Sequence, residues 1–207
     1  MTTQAANGIA PAHIIRQMVE TGHIIAESAL DVDQVQPASL DLRLGEVAWR
    51  VRASFMPGPR HTVADRLEQL SLHKVDLTDG AVLEVGCVYI VPLLESLALD
   101  DTMSAAANPK SSTGRLDIFT RVIADMAAEF DTVPAGYKGP LYAEISPRTF
   151  PILVRTGSRL SQIRFRAGNV SPSDDLIHEL HNQKPLVTSG DVSIDNGIAL
   201  SVDLSSF

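Results

Sequence analysis

The chain has 207 residues, 44% of them hydrophobic, which is enough to bury a core in one domain or one and a fraction and excludes general disorder. A formal net charge of −8 excludes broad attachment to nucleic acid or anionic lipid, because such surfaces are met by a basic face; any anionic ligand must be held by a local cluster. Cys87 is the single cysteine, which rules out an intrachain disulfide and a Cys-x-x-Cys zinc site and points to a reducing compartment.

The N-terminal stretch "MTTQAANGIAPAHIIRQ" shows no signal or transit pattern, and no apolar run approaches the roughly 20 residues that cross a bilayer. A soluble, cytoplasmic protein is expected. Residues 10–24 place Ile14, Ile15, Met18 and Val19 on one helical stripe, with Pro11 suited to a first turn and Gly22 to an end. "ASLDLRLGEVAWRVRA" then alternates at Leu40, Leu42 and Leu44 and again at Val47, Trp49 and Val51, a strand or hairpin broken at Gly45. "TVADRLEQLSL" (62–72) fits a helical turn or two and equally a surface loop. Between 81 and 99, Gly86 and Pro92 favour two short strands over one long one, since proline belongs at an edge or a bend.

"DIFTRVIA", "GPLYAEIS", "FPILVRT" and "RLSQIRFRA" are four strand-like pieces spaced by turn residues, with no helical pattern between them. That spacing predicts a mainly β, antiparallel sandwich or barrel-like roll with short peripheral helices. Ser173 is a cap for a short helix within 171–183, and the C-terminal stretch is again β-patterned. We expect a β domain over 1–170, followed at 171–207 by a helix and a β segment. Ser201-Val202-Asp203-Leu204 echoes Ser39-Leu40-Asp41-Leu42, so the second segment is either the start of a tandem copy or a C-terminal strand that pairs with its own or a neighbouring subunit.

Three stretches could support chemistry. "KSSTGR" (110–115) gathers two cations and three hydroxyls around Gly114, a combination suited to phosphate oxygens and different from a P-loop; a solvated loop with a capping serine fits the same residues. In "GYKGPLYAEIS", Leu141, Ala143 and Ile145 share one strand face and Tyr142 and Glu144 the other. Glu144 is then either a solvated edge carboxylate or, if its face is covered, a proton carrier usable near neutral pH. Gln162, in "GSRLSQIRF", is a ligand contact or a surface residue. His178 and His181 lie three apart on the expected helix, and metal binding there would need a third ligand.

In their order, "QPASLDLRLG" (36–45), "NPKSSTGR" (108–115), "GYKGPLYAEI" (136–145) and "GSRLSQIRF" (157–165) resemble the trimeric dUTPase and dCTP deaminase superfamily. The resemblance implies a distorted β-barrel or jelly-roll-like fold with active sites at interfaces between three subunits, as a homotrimer or a tandem-repeat pseudo-trimer. In the dUTPase branch an aspartate five residues before the second glycine of the Gly-Tyr-x-Gly turn activates water; here that position is Pro134, which cannot act as a base. The deaminase branch has a glutamate five residues after that glycine, the position of Glu144.

The implied activity is zinc-independent deamination of dCTP to dUTP and ammonia. Glu144 is the implied proton shuttle, Ser111 and a backbone carbonyl near Ala124 would hold the reacting water, and Arg115 would orient Glu144 or balance its charge. Backbone groups of Tyr142 and Ala143 would read the pyrimidine edge. Lys110, Ser112 and Gln162 would contact phosphates, with Mg²⁺ travelling on the triphosphate. Lys110 stands where arginine is more usual. Asp125 or Asp131, on an insertion after Ala124, could replace the missing turn aspartate in holding the sugar, and Gln183 and Lys184 stand where the family has a Tyr- and Gln-bearing lid. The alternatives are a bifunctional enzyme that continues to dUMP, a plain dUTPase, and a non-catalytic nucleotide-binding or scaffold domain.

Overall fold

The structure of the chain, a computed structural model, describes residues 7–168, 172–188, 192–200 and 204–205. It divides into two compact units, Met1–Gly168 and Asn169–Phe207.

The first unit runs β1 (Gly8–Ile9), α1 (Ala12–Glu20), β2 (Ile24–Ala26), β3 (Val35–Gln36), β4 (Ser39–Arg43), β5 (Val47–Val51), α2 (Val63–Leu70), β6 (Ser71–Asp76), β7 (Ala81–Leu83) and β8 (Val88–Ala98). It continues with β9 (Met103–Pro109), α3 (Ser111–Arg115), β10 (Ile118–Ala124), β11 (Thr132–Val133), β12 (Lys138–Pro147), β13 (Ile152–Val154) and β14 (Arg159–Ala167). One antiparallel sheet has the order β11-β9-β14-β4-β3 with β1 on β14; the other has β10-β12-β8-β5-β6 with β2 on β8; β13 and β7 form a small ribbon. Leu40, Leu42, Ile163 and Phe165 from the first sheet and Val91, Leu97, Leu141, Ala143 and Ile145 from the second meet in one core.

Helix α1 starts after Pro11, an N-cap in extended conformation, and buries Ile15 and Met18. In α2, a capping box closes the N-terminus: the Asp65 amide donates to Thr62 Oγ1 at 3.1 Å and the Thr62 amide to Asp65 Oδ2 at 2.8 Å. The helical alternative for 62–72 therefore holds up to Leu70, where the chain turns directly into β6. Val63 and Leu67 of α2 pack with Val51, Ile90, Ile123 and Tyr142 in a second cluster on the outer face of the second sheet. Asp125 ties down the same helix end, accepting the Val63 amide on Oδ1 at 2.7 Å.

Two expectations change, and one strand had none. Pro92 lies inside the single strand β8, not between two strands. It fits because β5 pairs with Val88–Ile90 and β2 with Glu95–Leu97, so the missing N–H falls where one neighbour has left and the next has not begun, opposite a bulge between Pro140 and Tyr142. The two runs around Gly45 are not a hairpin, because β4 and β5 belong to different sheets. The alanine-rich β9 had no strand signature in the sequence, as alanine supplies little apolar contrast.

All five residues of β4 are buried, polar ones included. Arg43 donates to Glu95 Oε1 through Nε at 2.7 Å and to the Ala29 and Ser28 carbonyls at 2.9 Å, while its backbone N–H reaches Glu95 Oε2 at 2.8 Å. Gln34 Nε2 bonds both Glu95 Oε1 and the Asp41 carbonyl at 2.8 Å. Buried charges persist only when paired and bonded in this way.

The second unit contains α4 (Asp174–Gln183), begun by Ser173, whose Oγ accepts the Leu176 amide at 3.3 Å. In place of the expected β segment, its described residues show an isolated pairing of Ile194 with Ile198. Residues 201–203 of the Ser-aliphatic-Asp-Leu echo lie outside the described residues. Among the described residues no helix is long and apolar enough to cross a membrane.

Candidate active site

Cross-strand register assembles the centre. Trp49 on β5 faces Ile90 on β8, Ile90 faces Glu144 on β12, and Glu144 faces Arg121 on β10. This row lies on the outer face of the second sheet, the face that carries Tyr142 and Ile123 under α2. Glu144 is only 1% exposed as a result. Its Oε1 accepts from Arg121 Nη2 at 2.5 Å and Nε at 3.1 Å, and its Oε2 is buried with no hydrogen-bond partner among the described residues. A desolvated carboxylate with one oxygen held and the other free has an acceptor available for a mobile proton.

Arg121 is held from several sides. Its guanidinium carbon lies 3.5 Å from the Phe130 ring centroid and 4.8 Å from that of Phe119, and Nη2 donates to Ser54 Oγ at 2.8 Å. The expected partner of Glu144 was Arg115; within this chain the partner is Arg121, and Arg115 is exposed at the end of α3. The alternation of Phe119, Arg121 and Ile123 was visible in "DIFTRVIA", but pairing Arg121 with Glu144 requires the β10–β12 register, which spans 23 residues.

Ser111 and Ser112 are exposed in the first turn of α3, and Thr113 is buried. The loop expected at "SSTGR" is thus a short helix. Lys110 is its N-cap residue; the Lys110 amide donates to the Leu160 carbonyl at 2.9 Å and Nζ donates to Oδ2 of the buried Asp41. Gln162 lies beside Asp41 in the β14–β4 register and accepts from Ser39 Oγ at 3.2 Å. Ala124 is buried at the end of β10, its carbonyl accepting a 3.4 Å bond from the Ala127 amide. Tyr142 and Ala143 lie in β12, whose two edges are paired to β10 and β8, with a bulge in the β8 ladder between Pro140 and Tyr142.

The Gly-Tyr-x-Gly turn is braced from inside: Tyr137 Oη donates to the Pro140 carbonyl at 2.5 Å and accepts the Asp125 amide at 3.0 Å. Burial pushes the Tyr137 phenol up to about 12. Pro134 is exposed. The two insertion aspartates separate: Asp125 caps α2, whereas Asp131 lies against β10 and lines a cavity of about 340 Å³ with Pro109, Gly114, Phe119, Thr120 and Arg121. Burial raises both carboxyls above their ordinary value. In the second unit, His178 is exposed and His181 half-buried on α4, and His181 Nδ1 accepts the Leu186 amide at 3.1 Å. Gln183 donates to Glu179 Oε1 at 3.2 Å.

Fold and site together define an antiparallel β protein of two main sheets with a buried, arginine-bound carboxylate. The family model described as 2'-deoxycytidine 5'-triphosphate deaminase (DCD) N-terminal domain matches residues 6–169. A protein named dCTP deaminase from Halorubrum lacusprofundi is 31% identical over 160 residues, 76% of this chain and 75% of that one. One named dCTP deaminase, dUMP-forming, from Methanobrevibacter smithii is 24% identical over 175 residues, 82% of this chain and 86% of that one. The crystal structure of 2'-deoxycytidine 5'-triphosphate deaminase from Agrobacterium tumefaciens superposes with a TM-score of 0.82 at 64% identity, over 87% of this chain. The match takes in 55% of the Agrobacterium chain, so the present chain spans about half its length. The chain belongs to the dCTP deaminase family.

Proposed function

We propose that this chain catalyses hydrolytic deamination of dCTP to dUTP and ammonia, with Glu144 as the proton shuttle. The observation that supports this most is the state of that carboxyl: 1% exposed, bound by Arg121 through one oxygen and unpartnered at the other. Water bonds to C4 of cytosine as one of its protons passes to Glu144 and on to N3 of the ring. The hydroxyl formed at C4 then gives its proton through Glu144 to the amino group. The C4–N bond breaks, ammonia leaves, C4 becomes a carbonyl, and Glu144 is returned ionised. Such a positioned acid–base group contributes about 10²–10⁴-fold in rate.

Ser111 and the Ala124 carbonyl hold the water, and backbone groups of Tyr142 and Ala143, beside the bulge between Pro140 and Tyr142, read the pyrimidine. Arg115, Ser112, Gln162 and Lys110 serve the triphosphate, which brings Mg²⁺ as its own counter-ion. One of the three Lys110 protons is committed to Asp41, leaving two for phosphate oxygens. Exposed Ser111, Ser112 and Arg115 against a buried Glu144 suit a site completed between subunits, in a homotrimer or its tandem equivalent. The single cysteine supports zinc-independent chemistry in a reducing, cytoplasmic setting.

A second reading, release of dUMP and pyrophosphate, is favoured by the dUMP-forming names of several relatives. Pro134 in the turn weighs against it, since the phosphorus-directed base expected there is missing. Incubation with dCTP, dCMP and dUTP in parallel, scoring ammonia and pyrophosphate, tests both. Ammonia from dCTP without pyrophosphate is expected; pyrophosphate accompanying ammonia would select the second reading, and dCTP left intact would refute both.

A further inference from the structure

Asp131 has a backbone that few residues tolerate, with φ at 61° in the left-handed region. Three hydrogen bonds keep it there. Its amide donates to the Val122 carbonyl at 2.8 Å, its carbonyl accepts the Ala107 amide at 2.8 Å, and its Oδ1 accepts the Val122 amide at 2.7 Å. Asp131 thus fastens the open edge of β10 to β9 and joins the two sheets beside the site. Both Val122 backbone groups on that edge end on Asp131, and Val122 directly follows Arg121.

The opposite edge of β10 pairs with β12 and hence Glu144. Asp131 shares a cavity with Arg121; burial raises its carboxyl most, while Arg121 favours its ionised form and Glu144 opposes it. β9, packed on the other side, contributes Ala105, Ala106 and Ala107, none of which titrates. The remaining charged group in the shared cavity is Asp117. A strained backbone fixed by several bonds next to a reactive group is a pattern found at functional sites.

We propose that Asp131 is a positioning residue for the Glu144 centre, its carboxylate balancing Arg121 from the far edge of β10 and thereby setting how tightly that cation holds Glu144. The proposal rests on the deaminase reading for its kinetic consequence, while the charge coupling itself can be read without substrate. Asp131→Asn is the informative change, because asparagine tolerates the left-handed region and keeps an oxygen for the Val122 amide while losing the charge. Asp131→Gly, which suits the backbone and drops the side chain, is the second variant.

Melting temperature is measured from pH 4 to 9 for wild type and both variants, together with the pH dependence of kcat on dCTP. Because the folded Asp131 carboxyl is raised above its ordinary 3.8, its contribution to stability is full below that value and declines as pH rises through the folded value. The variants should therefore gain on wild type with rising pH. With one of two like charges gone, the acid limb of kcat should move down by about one pH unit, kcat should fall about tenfold, and KM for dCTP should stay within about twofold. Melting curves that run parallel across pH overturn the coupling. An unmoved acid limb overturns the positioning role. If wild type releases no ammonia from dCTP, the proposed function fails, and the melting comparison still decides whether Asp131 titrates as a buried carboxyl, which the coupling requires.

Discussion

Replacing Glu144 by Gln changes one atom and one charge in a site that is 1% exposed, so its consequences can be worked out group by group. The amide oxygen can still accept from Arg121, but the amide nitrogen takes the place of the unpartnered Oε2 and cannot carry the proton. Loss of the shuttle should cost about 10²–10⁴ in kcat, or about 3–5 kcal/mol of barrier. Stability should suffer much less. Removing one partner of a fully buried pair costs about 3–5 kcal/mol. The Arg121 side chain, however, is 25% exposed and stays stacked on Phe130 and bonded to Ser54, so about 1–2 kcal/mol is expected. Ammonia release at saturating dCTP reports kcat, and calorimetric titration with dCTP reports binding. The variant should bind dCTP within a few-fold of wild type and turn it over at less than about 1% of the rate. Turnover above about a tenth of wild type would refute the assignment of Glu144.

Arg43→Met should lower stability by about 3–5 kcal/mol, read from the urea unfolding midpoint, because it takes the guanidinium from the fully buried Glu95. Lys110→Gln separates two roles for that lysine. If its ammonium serves phosphate, KM should rise several-fold for dCTP while dCMP is little affected; an equal loss with both nucleotides would mean that it serves only to anchor α3 on Asp41. Gly136→Ala should cost about 1–2 kcal/mol in thermal unfolding, since φ is 74° there and the new methyl would lie 2.5 Å from Asp101 Oδ1. Gly136→Asn should be milder on backbone grounds, asparagine being more at ease in that region.

Local patterns were legible without coordinates. The apolar stripe of α1, the Ser173 cap of α4 and the four late strands follow from side-chain spacing and turn residues, because period and capping are properties of neighbours in the chain. The same period separated Tyr142 and Glu144 from Leu141, Ala143 and Ile145. It could not say whether the first pair meets water. That depends on α2, Phe55 and Phe130, which come from other parts of the chain to cover the outer face, and on α2 being a helix instead of a loop.

The sequence by itself determined an antiparallel β protein with an acid alternating out of the apolar face of one strand. Only the tertiary structure decided that β4 and β5 part into different sheets, that Pro92 fits within β8, and that Arg121 rather than Arg115 holds Glu144 in this chain. The physical reason is that alternation is set by bonds a few residues long, whereas burial and ion pairing are set by register between strands far apart in sequence, where a slip of one residue would turn every side chain to the other face.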